Sequence, residues 1–253
     1  MDLELAGKRA LITGGSKGIG FACARVLKQE GCHVQLVART ERDLMNAVDE
    51  LREVPGGEVS YSVYDLSVSA NVDELAERNT DTDILVNNAG AIPAGPLDAI
   101  DETTWRTAWD LKVFGYINMC RRMYSYMRGR GGVIINIIGV GGERPSADYA
   151  AGAGGNAALM GFTRALGGRS LVDGIRVVGI NPGLIETDRL RTMLRTHATN
   201  QLGDAERWRE IVDPDFPPGQ PNDIAYAVAF LASPRSANTT GTIVTIDGGH
   251  CGR

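Results

Sequence analysis

The eight residues TGGSKGIG, Thr13 to Gly20, constrain this chain more than any other stretch. They follow a short apolar run, Ala10-Leu11-Ile12, that reads as a β-strand. After them, apolar residues recur at Ile19, Ala22, Cys23, Val26 and Leu27, the spacing of one helix face. A glycine-rich turn between a strand and a helix start suits a phosphate. The first N–H groups of a helix have no intrahelical partner and carry the positive end of its dipole. Gly14, Gly18 and Gly20 remove side chains that would hold a pyrophosphate off the backbone, so Gly14, Ser16, Lys17, Gly18, Ile19 and Gly20 form a candidate cradle. The spacing Gly-x-x-x-Gly-x-Gly differs from the Gly-x-Gly-x-x-Gly of many dinucleotide folds. No Gly-Lys-Ser/Thr closes it, so it is not a P-loop.

Strand-like and helix-like stretches alternate along the rest of the chain. The predicted strands are 9–12, 33–38, 58–64, 84–87, 132–137, 175–180 and 242–246. Most are continuous apolar runs, as in parallel strands covered on both faces. Between them lie helical patterns such as Glu41–Leu51, which has Thr40 at its cap position and Leu44, Ala47, Val48 and Leu51 as its stripe. The expected architecture is an α/β, doubly wound, seven-stranded parallel sheet with helices on both faces. At 253 residues, with no composition break, the chain reads as a single domain over 1–253. Its least regular segment, 188–220, is rich in Arg and Pro, directly follows a strand end, and reads as a substrate lid.

A net charge of −5 argues against a general nucleic-acid binder, and no apolar run approaches a membrane span. The four cysteines lack paired metal spacing, and the acidic, strand-like start is not a secretory signal. Together these readings point to reduced thiols, no metal and a cytoplasmic setting.

The ordered series of landmarks resembles the short-chain dehydrogenase/reductase family. TGGSKGIG stands in the place of that family's glycine motif. Asp65-Leu66 follows the third strand, where the family contacts adenine. Asn87-Asn88-Ala89-Gly90 ends the fourth strand. Asn181-Pro182-Gly183, with Ile185 and Thr187, is similar to the nicotinamide-side motif, and Ile246-Asp247-Gly248-Gly249 to the last strand and turn. The resemblance implies a single Rossmann-type domain with a nicotinamide dinucleotide cofactor. It also implies a small carbonyl or alcohol substrate, and a homodimer or homotetramer built partly through helices near 105–128 and 150–168. It makes Asp65, Leu66, Asn87, Ala89, Gly90, Pro182, Gly183, Ile185 and Thr187 candidate cofactor contacts.

The residues after the second strand select the cofactor. An acidic residue there would accept hydrogen bonds from the ribose 2′-hydroxyl and repel a 2′-phosphate. This chain has Ala38-Arg39-Thr40 instead, with Lys17 nearby in the glycine loop. A guanidinium fork and a point charge both suit a phosphate, so NADP(H) is expected over NAD(H), which stays possible.

The chemistry is where the chain departs from the family, whose members work with Asn, Ser, Tyr and, four residues after Tyr, Lys. In the ungapped register those positions hold Lys112, Gly139, Gly152 and Asn156. Lysine and asparagine have changed places. Tyr149 lies three residues before the expected tyrosine and seven before Asn156, spacings that share one helix face. A tyrosine needs a nearby cation to lower its pKa. The candidate catalytic set is therefore Tyr149 as proton donor, Lys112 as its cation, and Asn156. Glu186, His197 and His250 are other proton-carrying groups, with nothing in the sequence to orient them. Gly152, Gly154 and Gly155 would either admit a close approach to the backbone or break the helix start. The lid arginines, among them Arg189, Arg191 and Arg195, could draw an anionic group, although a solvated basic face balanced by acids is the plainer reading. Two functions fit: an NADP(H)-dependent carbonyl reductase or alcohol dehydrogenase with a rearranged active site, or a non-catalytic NADP(H)-binding sensor or partner subunit.

Overall fold

The computed structural model describes residues 1–252, with the side chains at 197 and 200 set aside. Its sheet strands are β1 (Arg9–Thr13), β2 (His33–Ala38), β3 (Val59–Val63), β4 (Ile84–Asn87), β5 (Gly132–Ile137), β6 (Ile175–Pro182) and β7 (Ile243–Ile246). They pair in the order β3-β2-β1-β4-β5-β6-β7, every pair parallel, which is the doubly wound sheet the sequence predicts. The chain winds outward from β1 in both directions, so a crevice opens where β1 and β4 end side by side.

Among the described residues, eight α-helices cover the sheet: α1 (Gly18–Gln29), α2 (Glu41–Arg52), α3 (Ser69–Glu77), α4 (Glu102–Trp109), α5 (Gly115–Met127), α6 (Ala150–Gly167), α7 (Asp188–Leu202) and α8 (Pro221–Ala232). Strand side chains alternate between the two faces. Ile12, Leu36, Val86, Ile135 and Val178 therefore join one core with Cys23 and Leu27 of α1, Leu44 and Leu51 of α2, and Ile224 and Val228 of α8. Leu11, Val37, Leu85, Ile134 and Val177 join the other with Val72 and Leu75 of α3 and Met119 and Met123 of α5. Burial of each such side chain contributes about 1.5–3 kcal/mol, which fixes the sheet's register.

Some local expectations are corrected. Thr40 occupies the N-cap position of α2, but its side chain makes no capping bond. β6 runs on to Pro182, two residues past its expected end. The glycine cluster does not break α6, which runs unbroken from Ala150 through Gly152, Gly154 and Gly155. The segment at 188–220 is more regular than its composition suggests. Thr187 caps α7 by accepting from the Leu190 N–H at 3.3 Å, and Leu190, Leu194 and Ala198 form its buried face. A 3-10 turn follows at Ala205–Ile211. The excursion leaves and returns at one place: Ile185 pairs with Gly219 in a parallel bridge, and Gln220 Nε2 donates to Glu186 Oε2 at 2.9 Å. Among the described residues, no helix is long and apolar enough to cross a membrane.

Candidate active site

The glycine turn sits at the crevice between β1 and β4. Asn88 fastens it, donating from Nδ2 to the carbonyls of Thr13 at 3.2 Å and Gly14 at 3.0 Å. Thr13 Oγ1 in return accepts from the N–H groups of Asn88 at 2.9 Å and Ala89 at 3.1 Å. A β-carbon at Gly20 would fall on the Gly14 carbonyl and the Asn88 amide, so only glycine fits under this turn. Lys17 stands at the N-cap of α1 in an extended conformation, and no side chain caps the helix. Its first N–H groups are thus left for an anion, with Ser16 and Ile19 half-buried beside them.

The other landmarks line the same crevice. Gly18 faces Thr187: a β-carbon there would lie 3.3 Å from the threonine methyl, which brings the loop after β6 against the glycine turn. Pro182 ends β6, Gly183 packs against Asp247, and Ile185 is buried at the base of the excursion. Gly90 lies under the stem of Lys112. Asp65 and the buried Leu66 follow β3; Asp65 Oδ1 accepts from Ser67 Oγ at 2.7 Å, while its Oδ2 faces Arg39 at 3.9 Å. Lys17 faces Asp43 at 3.4 Å. The Lys17 and Arg39 side chains are 71% and 58% exposed, so both ion pairs are weak and both cations can turn to a phosphate. Asn87 differs from its neighbours: it is buried and donates to Asn136 Oδ1 at 2.9 Å and Cys120 Sγ at 3.3 Å. The side chain that reaches the glycine turn is that of Asn88, which the sequence motif contains but did not single out.

At the other end of the crevice, β5 leads into Ile138 and Gly139. Lys112 lies on a π turn, Asp110–Phe114, between α4 and α5. It is 9% exposed, and its Nζ donates to the Ile138 carbonyl at 2.5 Å. Burial, helped by the charge of Arg189, lowers its pKa to about 7. Across the same peptide stands Asn156, 2% exposed; a β-carbon at Gly139 would lie 3.3 Å from its Nδ2. Asn156 Oδ1 has no hydrogen-bond partner among the described residues, which leaves this buried acceptor open to a donor.

Tyr149 is the N-cap residue of α6, and its ring folds back over the helix. A β-carbon at Gly152 would fall inside that ring, and one at Gly141 would lie 3.1 Å from it. The ring thus fills the space that a side chain at 152 would take. It is clamped between two glycines. Burial raises the Tyr149 pKa, and Arg189, by charge and by a side-chain hydrogen bond, opposes that rise.

Arg189, which the sequence presents only as one of several arginines of 188–220, lies in the first turn of α7 and donates to the Gly90 carbonyl at 2.9 Å and the Ile92 carbonyl at 2.7 Å. The alternative proton carriers are engaged elsewhere. Glu186 faces Arg191 and accepts from Gln220, while His250 stacks edge-on against Phe216. The side chain of His197 lies outside the described residues.

The fold and this crevice have counterparts among known proteins. A family model described as short chain dehydrogenase matches residues 8–198. The 3-oxoacyl-[acyl-carrier-protein] reductase of Chlamydia muridarum is 33% identical, with 98% of this chain and 99% of that protein covered. The 7alpha-hydroxysteroid dehydrogenase of Escherichia coli K12 is 31% identical over 98% of this chain and 96% of that protein. Among solved structures, L-sorbose reductase from Gluconobacter frateurii, crystallised with NADPH and L-sorbose, superposes with a TM-score of 0.92 at 31% identity, each chain covered in full. The chain belongs to the short-chain dehydrogenase family of oxidoreductases.

Proposed function

We propose that the chain is an NADP(H)-dependent carbonyl reductase or alcohol dehydrogenase in which Tyr149 is the proton donor. The observation that carries this reading is the Tyr149 ring seated over Gly152. A tyrosine from one helical turn earlier thereby brings its ring over position 152, where the family resemblance expects one. The cofactor fits the residues present. The cradle under Gly20 is closed to any β-carbon, the first N–H groups of α1 are uncapped, and Asn156 presents an unpartnered buried oxygen. Gly14, Ser16, Lys17, Gly18, Ile19 and Gly20 would hold its diphosphate, and Arg39 with Lys17 the 2′-phosphate. Lys112 and Asn156 would hold the nicotinamide end. When bound, the cofactor supplies the hydride.

The chain's own groups handle the proton. In the reducing direction the Tyr149 hydroxyl donates to the substrate oxygen as the C–H bond forms; in the oxidising direction the phenolate takes the proton back. Lys112, with a pKa of about 7, is a second proton carrier behind it. The lid at 188–220, tied at its base by the Ile185–Gly219 bridge, would close over the substrate and exclude water.

The test is a NADPH-oxidation assay with L-sorbose, an acetoacetyl thioester and a 7-ketosteroid as probes. Turnover of at least one is expected, and Tyr149→Phe should lower it by roughly 10²–10⁴-fold, the usual contribution of a positioned acid. Full activity in that variant removes Tyr149 from the role. Tight NADPH binding with no turnover of any probe would favour the alternative, a non-catalytic NADP(H)-binding protein. The feature that favours that alternative is Asn156 in the place of the family's lysine.

A further inference from the structure

The charge that serves Tyr149 comes from the 188–220 excursion. The sequence points to Lys112 for this part, but Lys112 donates to the Ile138 carbonyl, and its burial favours the neutral amine. Arg189 brings a planar guanidinium fork instead. It differs from the other arginines of the excursion in its partners. Arg191 faces Glu186 and Asp188, Arg195 faces Glu206, Arg207 pairs with Glu210, and Arg209 lies over the Trp208 ring. Among the described residues, no carboxylate pairs with Arg189. Two backbone carbonyls, those of Gly90 and Ile92, fix its guanidinium instead. Carbonyls orient a cation without neutralising it. Ile92 belongs to the same apolar cluster as Tyr149, with Trp105, Trp109 and Ala151, so the fork is anchored at the edge of the tyrosine's own seat.

We propose that Arg189 is a positioning residue of the active site: a cation, delivered by the first turn of α7 and fixed on the Gly90 and Ile92 carbonyls, that offsets the apolar seat of Tyr149 and is in place only while the lid is seated there. The proposal deepens the reading of Tyr149 as proton donor and rests on it. Among the described residues, Arg189 of α7 is the charged group that bears on the Tyr149 phenol; Asp148, the residue before the tyrosine, is exposed. The arrangement ties proton transfer to lid position, because an open lid withdraws the cation and leaves the phenol in an apolar seat.

The experiment reads the tyrosine directly and needs no substrate. The ultraviolet phenolate signal of the protein is titrated with alkali, and the titration of the Tyr149→Phe variant is subtracted to isolate Tyr149. In Arg189→Met the midpoint should rise by about one pH unit or more, the effect of losing a nearby opposite charge. Arg189→Lys, which keeps the charge, should reverse part of that rise. Should Arg189→Met fail to fold, Arg189→Gln, shorter and neutral but with two amide donors, takes its place with the same expected rise. A midpoint unchanged in the neutral variants overturns the proposal, as does a lysine variant that behaves like methionine. An inactive cofactor complex with a shifted midpoint would instead count against the enzyme reading and leave the inference standing.

Discussion

Two glycines of the same helix predict opposite outcomes for one substitution. In α6, Gly161 is exposed and a β-carbon built on it meets nothing within 4 Å. Gly161→Ala therefore gains only helix propensity, about 1 kcal/mol. For a chain of this size that raises Tm by about 2–4 °C. Gly152→Ala gains the same propensity, but its methyl would fall inside the Tyr149 ring. Gly141 also borders the ring, since a β-carbon built there would lie 3.1 Å from it, so a displaced ring has little room beside that backbone. Overpacking of this kind costs about 1–3 kcal/mol, so the net stability change is about 0 to −2 kcal/mol. The larger effect falls on chemistry. Expelling the ring from between the glycines should lower NADPH-dependent turnover nearly as far as Tyr149→Phe, while NADPH binding stays within about twofold of the parent, because the cradle at Gly20 is at the other end of the crevice. Thermal melts and steady-state rates on the two alanine variants, side by side, make the test. Equal melting shifts, or a fully active Gly152→Ala, would refute the idea that the tyrosine occupies the space above Gly152.

Lys112 should make stability depend on pH. Its pKa is about 7 in the folded chain against an ordinary value of 10.5, so between these values the unfolded chain holds a proton that the folded chain does not. Stability therefore rises as pH increases from about 7 toward 10, by up to about 1.4 kcal/mol per pH unit; below 7 both states are protonated and this contribution is flat at its least favourable level. Urea midpoints at pH 7 and 9 should diverge in the parent and converge in Lys112→Met, and equal divergence in both would refute the assignment. At the adenine end, Arg39→Ala should weaken NADPH by roughly tenfold or more, the loss of one or two charge-assisted bonds, with NADH almost unaffected. Fluorescence titrations with both nucleotides decide it, and a parallel loss of both would remove Arg39 from phosphate recognition.

The sheet was legible because its signal is periodic and local. Runs such as Val133-Ile134-Ile135 and Val177-Val178 can be buried only between two helical layers, and the alternation of Leu11 with Ile12 assigns each to its own core. The glycine turn was equally plain, since a strand, a tight turn and a helix start follow one another directly. The reaction end was partly legible. The exchange of Lys112 with Asn156 shows in the register, and both side chains do converge on the Ile138–Gly139 peptide. What the sequence could not show is the partner of each charge. The arginines of 188–220 look alike along the chain; only the folded excursion pairs Arg195 with Glu206 and leaves Arg189 to backbone carbonyls. Likewise, Asn87 and Asn88 are adjacent and chemically identical, and the pleat alone sends one inward to Asn136 and the other to the glycine turn.

The bridge between Ile185 and Gly219 has a consequence for how this scaffold changes over time. Because the excursion begins and ends on one hydrogen-bonded pair, its contents can be lengthened, shortened or exchanged without altering the distance the flanking chain must span. The cost of a longer insert grows only as the logarithm of its length. The segment is thus a cassette plugged into a fixed socket. Its length can change there while the strand order and register of the sheet stay as they are.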